Sequence, residues 1–372
     1  MPKKTKSIQL EEQIDVEMTH LRTDKLDITF GELANMYDNE ELIIAPDYQR
    51  QFRWTAGQKS LFIESILLGF PTPAIFVAET KEGIWELVDG MQRISTILEF
   101  MGKLKYADGE LVPPFKTQFS TDRHPLRLLD GFKFGDLELR TRLSIKRAGC
   151  RVEVIKVGSQ PNMKYEVFER LNTGGSGLSH QEVRNCVFRS ANPKFMEWVD
   201  KLSEIDEFSS NLGLPETGKF GMDEMYDKGL VLRFFTLKNS MDGFINEVEP
   251  FITDYVRSVV NEESQFDMYQ EEKIFRDTFS TIDSALGEDA WRHFRDGKHS
   301  RKQFSVYVYD ALTVGVANNL QTLKGMDATE VRDRLIKVKS SPEFRDNVGP
   351  GANTKAKLVA RLNAAINIIA NG

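Results

Sequence analysis

Residues 85–101 read WELVDGMQRISTILEFM, and the spacing of apolar side chains changes halfway along. Trp85, Leu87 and Val88 make a short apolar run of strand character, Asp89-Gly90 is a turn signal, and Ile94, Ile97, Leu98 and Met101 recur at i, i+3, i+4 and i+7. A strand, a tight turn and a helix satisfy that switch. The turn gathers Asp89, Gly90, Gln92 and Arg93 around a helix N-terminus, where the first N–H groups lack intrahelical partners and the macrodipole is positive. Such an end suits an anion, phosphate above all. Gly90 would let backbone approach a ligand, Arg93 could fork onto two phosphate oxygens, and Asp89 could hold a divalent cation or a ribose hydroxyl. An ordinary Asp-Gly turn, with Asp89 as N-cap and Arg93 in solvent, accounts for the same residues equally well.

Composition narrows the class. With 372 residues, of which 40% are hydrophobic, the chain is long enough for two or three domains with real cores. A formal net charge of -7 excludes a generally basic coat, so any DNA contact has to be local. Cys150 and Cys186 form neither a CxxC nor a zinc-type cluster and read as reduced core residues of a cytoplasmic protein. No apolar run is long enough to span a membrane, and the first residues lack the apolar core of a secretion signal.

In chain order, residues 1–25 are charged and poorly periodic, a flexible arm. A helix is expected over 28–37, with Thr29 as cap and Glu32 three residues on, then a short strand over 42–45. The segment PDYQRQFRW, residues 46–54, places Gln49, Arg50 and Arg53 among the rings of Tyr48, Phe52 and Trp54. Donors beside stacking faces suit a base and its phosphates, and a loop anchored by its rings suits them too. A helix over 57–68 and strands over 74–78 and 84–88 lead into the segment described first. Residues 102–142 read as an irregular insertion with one or two hairpins, and 150–157 as a half-buried strand. A helix over 164–171, a glycine-rich break over 172–177 and a helix capped by Ser179 with Glu182 follow. From about Pro193 onward apolar residues recur at helical spacing with hardly any strand signal. The fold class is therefore α+β: residues 26–190 form one domain and 191–372 an all-α domain.

Three stretches now carry a resemblance: PDYQRQFRW with the following LFIESILLGFPTP, then VDGMQRISTI, then FERLNTGGSGLSHQE. In order and spacing they resemble the N-terminal domain of GmrSD-type modification-dependent restriction enzymes, which is also found in SspE, over roughly residues 25–190. The resemblance implies a ParB/sulfiredoxin-like fold and nucleotide binding, with NTP hydrolysis coupled to DNA restriction. The family's Asp-Gly-Gln-Gln-Arg hallmark falls on Asp89, Gly90, Met91, Gln92 and Arg93, and its Tyr-Gln-Arg element on Tyr48, Gln49 and Arg50; Asn172 matches the Asn of the third motif. Position 91 departs, because a thioether cannot supply the hydrogen bonds of a glutamine amide. The implied roles are nucleotide contacts from Tyr48, Gln49, Arg50, Gly90, Arg93 and Asn172, catalysis by Asp89, Gln92, Arg93 and Gln49, and Mg²⁺ on Asp89.

Many members carry a His-Asn-His nuclease, but the second half here offers only His293 and His299 in WRHFRDGKHSRK, which read as surface residues on a charged loop. Either a nuclease partner subunit then supplies cutting, or the protein senses without cutting. Pro46-Asp47 with Glu79 and Lys81 formally matches the PD…ExK pattern of metal-dependent nucleases, a degenerate one. Arg140, Arg142, Lys146, Arg147 and Arg151 make the strongest basic cluster, with Lys355, Lys357 and Arg361 a second, so DNA contact is assigned to Arg140, Arg142, Lys146 and Arg147. The reading is a cytoplasmic nucleotide-binding, NTP-hydrolysing sensor of an anti-phage restriction system. Its expected partners are a nucleoside triphosphate, DNA, a nuclease subunit and a second copy of the chain, and no membrane. The alternatives are a DNA-binding scaffold with a vestigial pocket and a nuclease in its own right.

Overall fold

A computed structural model describes the chain except for residues 1–5, 19–21, 45–53, 107, 120–123, 158, 160–165, 168–169, 171–178, 211, 213–224, 296, 301–303, 350 and 353. It divides into two compact units, Met1–Gly177 and Leu178–Gly372.

The first unit is built on a five-stranded mixed sheet: β1 (Thr23–Thr29), β2 (Leu42–Ile43), β3 (Ile75–Glu79), β4 (Trp85–Asp89) and β5 (Gly149–Ile155), in the order β1-β5-β3-β4-β2. β1 pairs antiparallel with β5, β5 parallel with β3, β3 antiparallel with β4, and β4 parallel with β2. Alternation decides which face is buried. Cys150, Val152 and Val154 point to the core, whereas Arg151 and Glu153, opposite Asp27 and Lys25 in the register, form ion pairs on the other face at 3.2 and 3.5 Å. Exposed pairs of this kind add little stability; they fix register, because a one-residue slip would bury the charges.

Helices α2 (Phe30–Asp38), α3 (Ala56–Leu67), α4 (Met91–Phe100) and α5 (Leu139–Arg147) pack on one another. The cap expected at Thr29 is present: its hydroxyl accepts from Glu32 N. The sequence reading runs that helix from residue 28, but Ile28 and Thr29 are the end of β1, whose first residues fall in the segment read as an arm. The same segment holds α1 (Lys6–Met18), whose described side chains are exposed. Gly31 lets α2 approach α5, since a Cβ there would lie 2.9 Å from the Lys146 carbonyl.

The insertion after α4 holds one isolated bridge, Lys105 with Leu111, and two short 3-10 turns, Arg127–Leu129 and Phe134–Asp136. Polar groups on α3 hold it in place. Ser60 Oγ accepts from Gln118 N at 2.7 Å, and the buried Glu64 carboxylate accepts from Leu126 N at 2.9 Å. These groups satisfy backbone that no sheet could.

The second unit consists of α6 (His180–Ala191), α7 (Pro193–Ser203), α8 (Tyr226–Ser240), α9 (Val248–Val260), α10 (Met268–Leu286), α11 (Val306–Asn318), α12 (Ala328–Ser340) and α13 (Lys355–Asn371), with short helical turns between them. One small hairpin, β6 (Phe294–Arg295) with β7 (Lys298–His299), interrupts the helices. α11 lies at the centre, buried from Val308 through Val316 and packed against α8, α10, α12 and α13. At Gly315 the α13 contact is so close that a Cβ would meet Ile369 at 2.8 Å. Phe234, Phe235, Phe275 and Phe279 form a ring cluster with centroids 4.4–5.8 Å apart, each pair worth about 1 kcal/mol beyond area burial.

Charged groups are sunk in this core. Asp310, fully buried, accepts from Arg233 Nε at 2.6 Å and Nη2 at 2.7 Å, and from Arg361 Nη2 at 3.3 Å. Arg361, read from the sequence as part of a DNA-facing cluster, is instead wholly buried, its Nη1 donating to the Ala352 carbonyl and its guanidinium over the Tyr307 ring. His293 and His299 are likewise partly buried rather than surface loop residues; His293 Nε2 shares a hydrogen bond with Ser305 Oγ, and His299 lies in β7.

Lys339 is buried, donating to the Asp289 carbonyl at 2.8 Å. Burial, aided by Arg332 and Arg292 and opposed by Asp289, pushes its ammonium down to about 7 from 10.5. The unfolded chain then binds more protons than the folded one between those values, so stability rises with pH across that window and falls as pH drops through it. Burial likewise lowers His293 and His299 from 6.5, extending the trend just below that value. Urea unfolding from pH 7 to pH 10 is expected to show the wild type gaining stability, by at most about 5 kcal/mol, and Lys339→Met gaining far less; equal pH slopes in the two proteins would contradict the assignment.

Candidate functional site

The Asp89-Gly90 turn is where strand β4 hands over to helix α4, as the change of period implies. Gly90 has φ +99, a conformation that side chains avoid, and a Cβ there would lie 2.9 Å from Ile75 Cγ1 on the neighbouring strand. Any other residue would be strained at this φ and would displace the Ile75 side chain. Gly90 also starts α4 with no side-chain cap, while Thr29 and Thr55 cap α2 and α3. Asp89, just before the glycine, does not serve as the N-cap. The positive end of α4 thus has no side-chain cap from Gly90.

Arg93 is spent within the turn. Its Nη1 donates to the carbonyls of Pro73 and Ala74, the latter at 3.0 Å, and its Nη2 to Asp89 Oδ2 at 2.8 Å. One guanidinium thus ties the lead-in to β3, the end of β4 and the first turn of α4 together. The two carbonyl acceptors leave no sequence signal, because any residue can supply them. Asp89 keeps 37% of its side chain exposed, whereas Arg93 keeps 13%. Cys150 of the neighbouring strand β5 is also within the influence of Arg93; burial pushes its thiol up to about 11, which leaves it protonated and unreactive at neutral pH.

Gln92 joins the turn to the aromatic segment that precedes α3. Its Oε1 accepts from Trp54 N at 3.2 Å, and the Trp54 ring packs edge-on to Phe62, which in turn meets Phe30. Trp54 is the last residue of PDYQRQFRW, so the end of that stretch lies against the Asp-Gly turn. Tyr48, Gln49, Arg50 and Asn172 lie outside the described residues, as does Asp47. Among the described residues no group of three or more His, Cys, Asp or Glu side chains could hold a metal ion. Asp89 is a single carboxylate, and a Mg²⁺ ion on it would need further oxygen ligands such as those of a phosphate group. The PD…ExK arrangement fares worse: Glu79 ends β3 with its carboxylate bound to Lys156 Nζ at 2.6 Å, which holds it below the ordinary carboxylate range.

The basic cluster lies on α5 and divides by helical phase. Arg140 and Arg147, i and i+7, share an exposed face with Leu143 and Ser144 around a shallow depression, and Lys146 is exposed beside them. Arg142 is half-buried, its Nε shielded from solvent. No helix of the described residues is long and apolar enough to cross a membrane.

No curated protein matches this chain. Residues 30–189, which contain the sheet from β2 to β5, the Asp89-Gly90 turn and helices α2 to α5, match the family model described as GmrSD restriction endonuclease, N-terminal domain. Over that stretch the chain is similar to the N-terminal domain of GmrSD-type restriction endonucleases.

Proposed function

We propose that the chain serves DNA restriction as a nucleotide-responsive regulatory protein, binding a nucleoside triphosphate at the Asp89-Gly90 turn and DNA through α5, with cutting supplied by a partner subunit. The observation that carries this reading is the start of α4: a left-handed glycine, no side-chain cap, and a half-exposed carboxylate one residue before it. Phosphate oxygens take the place of the missing cap, and Asp89 turns toward an accompanying Mg²⁺. Arg93 positions the turn in this account, because its donors already hold Pro73, Ala74 and Asp89. Gln92 accepts from Trp54 N, which ties the last residue of PDYQRQFRW to the first turn of α4. Support for a role in restriction comes from the family match over residues 30–189.

Met91 sets the limit on chemistry. It is the first residue of α4, where the resemblance implies a glutamine amide, so the wild type is a binder with weak turnover at most. Calorimetry with each of the four nucleoside triphosphates and Mg²⁺ is expected to show Met91→Gln tightening binding by about tenfold, one added polar contact, and Asp89→Asn losing the Mg²⁺-dependent part of the affinity. Unchanged affinity in both variants would remove the turn from the site.

The exposed face of α5 gives the second test. In a gel shift on duplex DNA over a range of salt, Arg140→Ala with Arg147→Ala is expected to reduce the slope of log affinity against log salt by about two, one for each lost phosphate contact, whatever the DNA sequence. A slope equal to that of wild type would assign the two arginines to the solvated surface.

A further inference from the structure

A cavity with both polar and apolar walls lies wholly within the helical unit, and nothing in the reading above uses it. It has a volume of about 230 Å³ and is lined by the first turns of four helices: His180 and Gln181 of α6, Tyr226 of α8, Glu249 of α9 and Val306 of α11. Four positive helix ends thus point at one space. Of these, α8 and α9 begin without a side-chain cap, and α8 follows Met225 in the left-handed conformation.

The side chains add to that field. Arg184 and Arg233, both buried, line the cavity. Arg184 is matched: its Nη2 donates to Glu249 Oε2 at 2.8 Å and its Nε to Gln181 Oε1 at 2.9 Å. Arg233 is not fully matched. Asp310 takes its Nε and Nη2 but is shared with Arg361, so two guanidinium groups face one carboxylate, and Arg233 Nη1 makes no hydrogen bond among the described residues. Gln181, 3% exposed, has a buried Nε2 with no hydrogen-bond partner. A buried amide donor without an acceptor is costly, and so is an unbalanced buried cation. Leu230 and Ile252 complete the wall with apolar surface.

We infer that this cavity is a binding site for a small organic oxyanion, a phosphate or carboxylate head on a compact apolar or ring-shaped body. The head accepts from Gln181 Nε2 and Arg233 Nη1 under the four helix ends, and the body lies against Leu230, Ile252 and Val306. The anion supplies the acceptor and the negative charge that the folded chain lacks at this point. A purely structural role for the arginines would leave the unpartnered Gln181 amide without an acceptor.

The test uses Gln181→Glu in the full chain. A glutamate keeps the acceptor for Arg184 Nε but places a carboxylate where the unpartnered amide stood. Thermal unfolding and calorimetric titration are run with inorganic phosphate, adenosine monophosphate, ribose 5-phosphate and benzoate as probes. The wild type is expected to be stabilised and bound by at least one organic anion more strongly than by inorganic phosphate. Gln181→Glu is expected to unfold at a higher temperature than wild type without any anion, and to bind the same probe about tenfold or more weakly. Asp89→Asn is expected to keep the full response, which separates this site from the Asp89 turn. Gly229→Leu is the second variant: a Cβ there meets Gln181 at an unstrained 3.7 Å, and the rest of the side chain fills the space. It is expected to fold and to lose the probe. No stabilisation of wild type by any of the four probes, or equal binding by wild type and both variants, overturns the proposal.

Discussion

One guanidinium holds the first unit's site in shape. Arg93 reaches from the first turn of α4 to the carbonyls of Pro73 and Ala74 and to Asp89, and these bonds fix the angle at which β4 enters the helix. Gly90 is the other half of the constraint, since its φ of +99 and the 2.9 Å approach of Ile75 admit no side chain. This N-terminus is built tightly and has no side-chain cap, whereas α2 and α3 are capped by threonine. Structure and site are coupled here: the group that the sequence offers as a phosphate ligand is the one that holds the first turn of α4 against β3 and β4.

Much of this was legible in advance because the signals are local. Thr29 with Glu32, Ser179 with Glu182, and the period change at Asp89-Gly90 each lie within a few residues, and each is found as read. β1 was not legible. TDKLDIT offers only Leu26 and Ile28 as apolar alternates, and its charged positions make sense only opposite Arg151 and Glu153, more than a hundred residues on. Arg361 failed for the same reason. Its partner Asp310 is 51 residues away, and a basic residue on an amphipathic helix reads as surface until that partner is placed. The carbonyls that receive Arg93 are invisible to any reading of side chains.

The helical unit carries its charges differently from the sheet. In the sheet, ion pairs lie on an exposed face and serve register; in the helices, Arg184, Arg233, Arg361, Asp310 and Lys339 are buried, where an unmatched charge or donor is expensive. Such groups persist where something balances them. Asp310 balances two arginines in part, the Asp289 carbonyl receives Lys339, and Gln181 Nε2 at the cavity is among the buried donors left without an acceptor. The family match ends within α6, at residue 189, the helix that contributes Gln181 and Arg184.

The account rests on the open end of α4 receiving phosphate. Amide hydrogen exchange at Met91 and Gln92, with and without nucleoside triphosphate and Mg²⁺, measures that directly, because phosphate oxygens seated at this helix end would accept from its first N–H groups. Slower exchange at both on adding nucleotide, with Gln58 at the Thr55-capped start of α3 unchanged, is the predicted result. Equal rates at Met91 and Gln92 at saturating nucleotide would contradict it.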